Sequence, residues 1–206
     1  MRGFLATLGA VAALAGSALG QSDSTKYVDA ETGFTFSQYV NDKGIAFRVA
    51  LPSTAKANDN YEAVVQIAVP IAVGWAGLAW GGSMTYNPLT IVWANGKDVV
   101  LGYYVPPAYD GAVYNVLKTG THVNATHYQV TATCVGCTLW GDSDTGITAI
   151  DPTAQGTLAF AYAAAPVVTP ASNTSSFSIH DLIGHWIHDF SAGSNANFNA
   201  TVAKNQ

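Results

Sequence analysis

The sequence predicts an all-β fold, an antiparallel sandwich or barrel, and three observations carry that reading. Short segments rich in Val, Ile, Thr, Tyr, Phe and Trp recur along the chain. Gly, Pro, Asn and Asp divide them, and beyond residue 20 no long window keeps a 3.6-residue apolar period with helix caps.

The elements follow in order. GFTFSQYV (33–40) stops at the polar run Asn41–Gly44, and IAFRVALP (45–52) begins directly after it. YEAVVQIAVPI (61–71) comes next, then GWAGLAW (74–80), which ends at Gly81 and Gly82. LTIVWA (89–94) starts behind Pro88 and is separated by Asn95 and Gly96 from DVVLGYYV (98–105). HYQVTATC (127–134) and GTLAFAYAAA (156–165) continue the series. The Pro/Ser/Thr-rich AAPVVTPASNTSS (164–176) reads as a long surface loop before a last hairpin. In that hairpin His180 lies at the loop end of a strand, Gly184 makes the turn, and residues 185–190 alternate faces. The tail after Phe198 is polar and reads as frayed.

Residues 1–20 have a basic start (Met1, Arg2), an apolar stretch from Phe4 to Ala15 and small residues up to Gly20, the build of a secretory signal peptide. The stretch is too short and too weakly flanked to span a membrane, and no other approaches the roughly twenty apolar residues a spanning helix needs. The expected organisation is a signal peptide over 1–20 and a single soluble, extracellular domain over 21–206, a size that fits one core. Charged residues are only 10% of the chain, the net charge is −5 and no basic cluster occurs, which argues against a nucleic-acid partner. Asn124, Asn173 and Asn199 each open an Asn-x-Ser/Thr sequon, compatible with glycosylation.

The two cysteines form Cys134-Val-Gly-Cys137. The pair follows a strand-like segment rather than opening a helix, and Thr138 stands where covalent haem attachment needs a histidine. In an oxidising compartment it reads as a structural disulfide pinning a turn.

Three of the five histidines, His180, His185 and His188, crowd into HDLIGHWIHDF. Each could be a half-buried, hydrogen-bonded ring. A zinc site is weakened because His185 and His188 point to opposite faces. A serine hydrolase on Ser83 lacks the Gly-x-Ser-x-Gly elbow and its strand-turn-helix context. Met84, the only methionine besides Met1, sits among Gly81, Gly82, Ser83, Thr85, Tyr86, Asn87 and Pro88 rather than in an apolar stripe. Core filler and iron ligand are both open for it: a thioether on a loop, paired with a distant histidine, suits low-spin haem iron with one ligand on each face.

GWAGLAWGGSMTYNPLTIVWANG, YVPPAY, CVGCTLW and SSFSIHDLIGHWIHDFSAGSNANF occur in that order between Tyr27 and Phe198. Together they resemble the haem-b cytochrome domain of fungal cellobiose dehydrogenases and related secreted iron-reductase-type cytochromes. The resemblance implies an antiparallel, immunoglobulin-like β-sandwich holding one non-covalent haem b between loops at one end. It implies Met84, in its Gly81-Gly82-x-Met context, and His180, opening a His-x-x-x-Gly turn with Gly184, as the axial metal ligands. It further implies Tyr104, with Tyr103 as its rival, near the haem propionates, and Cys134 paired with Cys137. His185 and His188 depart from the family pattern, and so does the chain's end at Gln206 without a flavin domain or a Gly-x-Gly-x-x-Gly fingerprint.

The expected function is a monomeric, single-domain, secreted b-type cytochrome that shuttles single electrons, with no catalytic residue of its own. Its donor by resemblance is a flavin dehydrogenase. Its acceptors are ferric complexes, giving ferric reductase activity, or quinones, cytochrome c or the copper of lytic polysaccharide monooxygenases. The reading from another class is a haem-free carbohydrate-binding sandwich presenting its five tryptophans and ten tyrosines.

Overall fold

The computed structural model describes residues 21–102 and 109–206, so the signal peptide read over residues 1–20 lies outside the described residues. The strands are β1 (Thr25–Val28), β2 (Thr35–Val40), β3 (Ala46–Pro52), β4 (Ala63–Pro70), β5 (Trp75–Ala79), β6 (Leu89–Asn95), β7 (Asp98–Gly102), β8 (Val113–Val116), β9 (His122–Val123), β10 (His127–Val135), β11 (Leu139–Asp142), β12 (Gly146–Ala149), β13 (Gln155–Ala163), β14 (Leu182–Asp189) and β15 (Ser194–Asn195). A 3-10 turn, Phe190–Gly193, precedes β15, and helix α1 (Phe198–Asn205) follows it.

Two sheets form an antiparallel sandwich of immunoglobulin-like outline. One runs β1-β2-β3-β4-β10-β8, with β9 on β10 and β15 on β3; the other runs β14-β13-β5-β6-β7. Alternation along each strand decides what lies between them. Phe47, Val49 and Leu51 of β3, Val65, Ile67 and Val69 of β4, and Tyr128 and Val130 of β10 meet Ala76 and Leu78 of β5, Leu158 and Phe160 of β13, and Trp186 of β14. Burying such side chains supplies most of the stabilisation, at about 1.5–3 kcal/mol for each large apolar residue.

Two expectations are corrected. Gly184 makes no turn. It lies inside β14 opposite Phe160, and a Cβ there would come within 2.5 Å of the Phe160 ring. The missing side chain gives space to a neighbour across the ladder, and the last hairpin is β13–β14 itself, joined by the long loop 164–181. The tail is not frayed either. Phe198 and Val202, four apart on α1, bury against Phe34, Phe36, Ala50 and Val64 on the outer face of the larger sheet. Asn205 Nδ2 donates to Thr32 O at 2.9 Å and ties the last turn down.

Cys134 and Cys137 are both fully buried and form a disulfide with Cα atoms 5.8 Å apart. Such a short ring removes little entropy from the unfolded chain, about 2 kcal/mol in the loop-closure model. Cys134→Ser/Cys137→Ser should therefore lower the calorimetric melting temperature by roughly 4–8 °C, using the slope for domains of this size. Complete loss of folding would mean that the bridge holds the core as well as the turn.

Candidate functional site

The site starts from a sheet face whose central positions carry only glycine and alanine. Gly77 and Ala79 of β5 stand directly opposite Ala161 and Ala159 of β13, and Gly77 also faces Ile91 of β6. These positions point away from the core, where an exposed antiparallel face would carry polar residues. Here the central positions are small and apolar, with Trp75, Ile91 and Ile183 around them. Loop 164–181 covers part of it: Val167 and Phe177 pack with Trp75, Ile91 and Trp93, and Trp93 Nε1 donates to Pro170 O at 2.9 Å. Between that loop, the small-residue floor and the β5–β6 loop a cavity of about 700 Å³ remains. That is within the roughly 300–1,000 Å³ of small-molecule and cofactor sites.

One wall is the loop that carries Met84. Asn87 closes it, its Nδ2 donating to Ser83 Oγ (2.8 Å) and to Thr85 O (3.0 Å) while its Oδ1 accepts from Trp140 Nε1 (3.0 Å). Gly81 lies off the cavity, since a Cβ there would strike Asn87 Oδ1; its glycine serves this closure. Gly82 lines the cavity with φ +78°, a left-handed conformation that glycine adopts without strain. Met84 lines it too, and is 49% exposed.

The opposite wall is the end of loop 164–181, where His180 and the 85%-exposed Ile179 line the cavity. Asp181 fixes this end: its amide donates to Tyr162 O (2.8 Å) and its Oδ2 accepts from Ala164 N (2.7 Å). Thus an exposed thioether and an exposed imidazole, far apart in the chain, share one apolar cavity.

His185 also lines the cavity, and its Nε2 lies 2.9 Å from Gly82 O; the carbonyl can only accept, so Nε2 carries the proton. His188 is on the other face of β14, fully buried. Burial pushes its pKa down to about 3, so the ring is neutral, and its Nδ1 accepts from Trp186 Nε1 at 3.0 Å. Among the described residues no three His, Cys, Asp or Glu side chains cluster as a metal site. Tyr104 and its rival Tyr103 lie outside the described residues. Asn124, Asn173 and Asn199 are all exposed, and no helix of the described residues is long and apolar enough to cross a membrane.

Sequence reasoning missed the floor, the Asn87 closure and the Asp181 clasp. Only the floor left a signal: Gly77 and Ala79, and Ala159, Ala161 and Ala163, repeat a small residue at every second position.

Fold and cavity together define a class: an antiparallel sandwich with a cavity on one sheet's outer face, walled by two loops that bring in Met84 and His180. Residues 27–200 match the family model "Cytochrome domain of cellobiose dehydrogenase", and the chain belongs to that family. It is 30% identical over 135 residues to a pyrroloquinoline quinone-dependent pyranose dehydrogenase of Coprinopsis cinerea, an alignment covering 62% of this chain and 18% of that protein. The fold is similar to the solved cytochrome domain of Myriococcum thermophilum cellobiose dehydrogenase, with TM-score 0.76 and 22% identity over 91% of this chain and 98% of the other. It is similar also to the cytochrome b domain of the Coprinopsis cinerea pyranose dehydrogenase, with TM-score 0.73 and 23% identity over 88% of this chain and 95% of the other.

Proposed function

We propose that this chain is a secreted, monomeric b-type cytochrome that carries single electrons, with Met84 and His180 as the axial ligands of one non-covalent haem b. The observation that carries the reading is the pairing of that thioether and that imidazole on one apolar cavity of about 700 Å³. The donor set fits: sulfur and imidazole nitrogen are ligands of low-spin cytochrome haem, and the floor of Gly77, Ala79, Ala159 and Ala161 leaves room for a flat macrocycle. Bound there, the haem iron supplies a one-electron ferric/ferrous couple.

The chain's own residues do the rest. Met84 and His180 would hold the haem iron between them, and the soft sulfur of Met84 would favour its ferrous state. Trp75, Ile91 and Phe177 exclude water from one side of the cavity. The exposed mouth beside Met84 and Ile179 is where a redox partner would approach. Tyr104 is the proposed partner of the propionates. Donors of the right kind are extracellular dehydrogenases, either a flavin dehydrogenase, as the sequence resemblance implies, or a quinone-dependent one, as in the pyranose dehydrogenase relative. Ferric complexes and lytic polysaccharide monooxygenase copper are the proposed acceptors.

Protein purified from haem-replete cells should be red, and acid acetone should extract its haem completely, since Thr138 stands where covalent attachment needs a histidine. The spectrum is recorded oxidised and dithionite-reduced. A folded but colourless protein would refute the assignment and favour the carbohydrate-binding alternative.

A further inference from the structure

The Met84 loop is held closed from within by Asn87, and among the described residues one side-chain hydrogen bond ties it to β14. That contact is His185 Nε2–H donating to Gly82 O at 2.9 Å. His185 lies in a continuous ladder, opposite Ala159 in the β13–β14 pairing, so the position from which its ring reaches Gly82 is set by the sheet. Gly82 is two residues before Met84 and sits at positive φ, where the chain turns toward the cavity. A hydrogen bond at that carbonyl restrains the direction in which the loop delivers the following side chains.

We infer that His185 is a positioning residue: it latches the Met84 loop to β14 and so holds the thioether over the cavity. The inference deepens the haem reading and rests on it. In that setting the weaker of the two axial donors is the sulfur, and an imidazole added from solution competes for its place on ferric iron. The latch raises the cost of moving the loop aside. Its ring nitrogen is engaged with Gly82, which separates its role from that of His180, on the opposite wall.

The test uses holoprotein of the wild type, His185→Ala and His185→Gln. Ferric protein is titrated with imidazole and followed by its absorption spectrum. Loss of one such hydrogen bond should tighten imidazole binding by about three- to tenfold in His185→Ala. His185→Gln, whose amide can still donate to Gly82 O, should return most of the difference. A second measurement needs no haem: in apoprotein, amide hydrogen exchange of Trp80 and Gly82, whose N–H groups donate to Pro88 O and Ala79 O, should speed up by a similar factor in His185→Ala and not in His185→Gln. Equal imidazole affinity and equal exchange in all three proteins would overturn the latch while leaving the haem reading intact. A high-spin His185→Ala spectrum would overturn it too, by making His185 a ligand. Wild type that takes up no haem would instead refute the reading beneath, and the exchange data would still decide whether the latch exists.

Discussion

His180→Ala, produced with ample haem, is expected either to lose the cofactor or to retain it in a high-spin form with one axial position empty. The imidazole is the stronger of the two proposed ligands, and alanine supplies no donor atom. His180 is exposed at the end of loop 164–181, while its neighbour Asp181 clasps Tyr162 and Ala164 by bonds that the substitution does not touch. The fold should therefore survive, and the change should be confined to the spectrum. The other two histidines of the cluster are the controls. His185→Ala should keep a low-spin spectrum, because the ring is engaged with Gly82 O. His188→Ala removes a fully buried ring from the core face and should cost stability, about 2 kcal/mol or more, without altering the spectrum. If His185→Ala alone produced the high-spin form, the strand residue would be the ligand and the loop residue would not.

What the sequence disclosed about the fold depended on element length. β3, β4, β10 and β13 each supply seven to nine residues of β-branched and aromatic side chains between Gly, Pro or Asn breaks, and such segments are legible by composition. β9 and β15 have two residues each, and no period can be read from two. Helix α1 presents only two apolar side chains to the sheet, Phe198 and Val202, too few to distinguish it from a polar tail. Gly184 was misleading for a different reason. Glycine marks a turn when the backbone needs it, but here the Phe160 ring needs the space, and that neighbour is 24 positions away in the chain and adjacent only through the β13–β14 ladder.

The candidate site divides the same way. Met84 and His180 were singled out by the resemblance of their motifs to the family's, and the structure brings both to one cavity. Their supports were not: Asp181 reaches Ala164 across 17 positions and His185 reaches Gly82 across 103, and nothing local to those residues announces the partner. The floor is intermediate, since its alternating small residues are visible but their meaning depends on which face of the sheet they occupy.

Met84→His should keep a six-coordinate low-spin haem and lower its reduction potential by on the order of 100 mV or more, since axial ligation in haem proteins spans a range of about 0.8 V. Sulfur is soft and favours ferrous iron; imidazole is a harder and better donor to ferric iron, so the exchange stabilises the oxidised state. The loop can accept the change. Met84 is half exposed, the closure by Asn87 uses Ser83 and Thr85 rather than Met84, and Gly82 keeps its positive φ. The shorter histidine must reach the iron from a loop set for a longer side chain, so the variant also tests how far Gly82 and the loop can yield. With the potential lowered, reduction by a dehydrogenase donor becomes less favourable and delivery to an acceptor slows for want of reduced protein. Redox titration beside wild type measures the first effect and stopped-flow reduction the second. An unchanged potential with an unchanged spectrum would show that Met84 does not bind the iron, and the thioether would then be only a half-exposed loop residue at the mouth of the cavity.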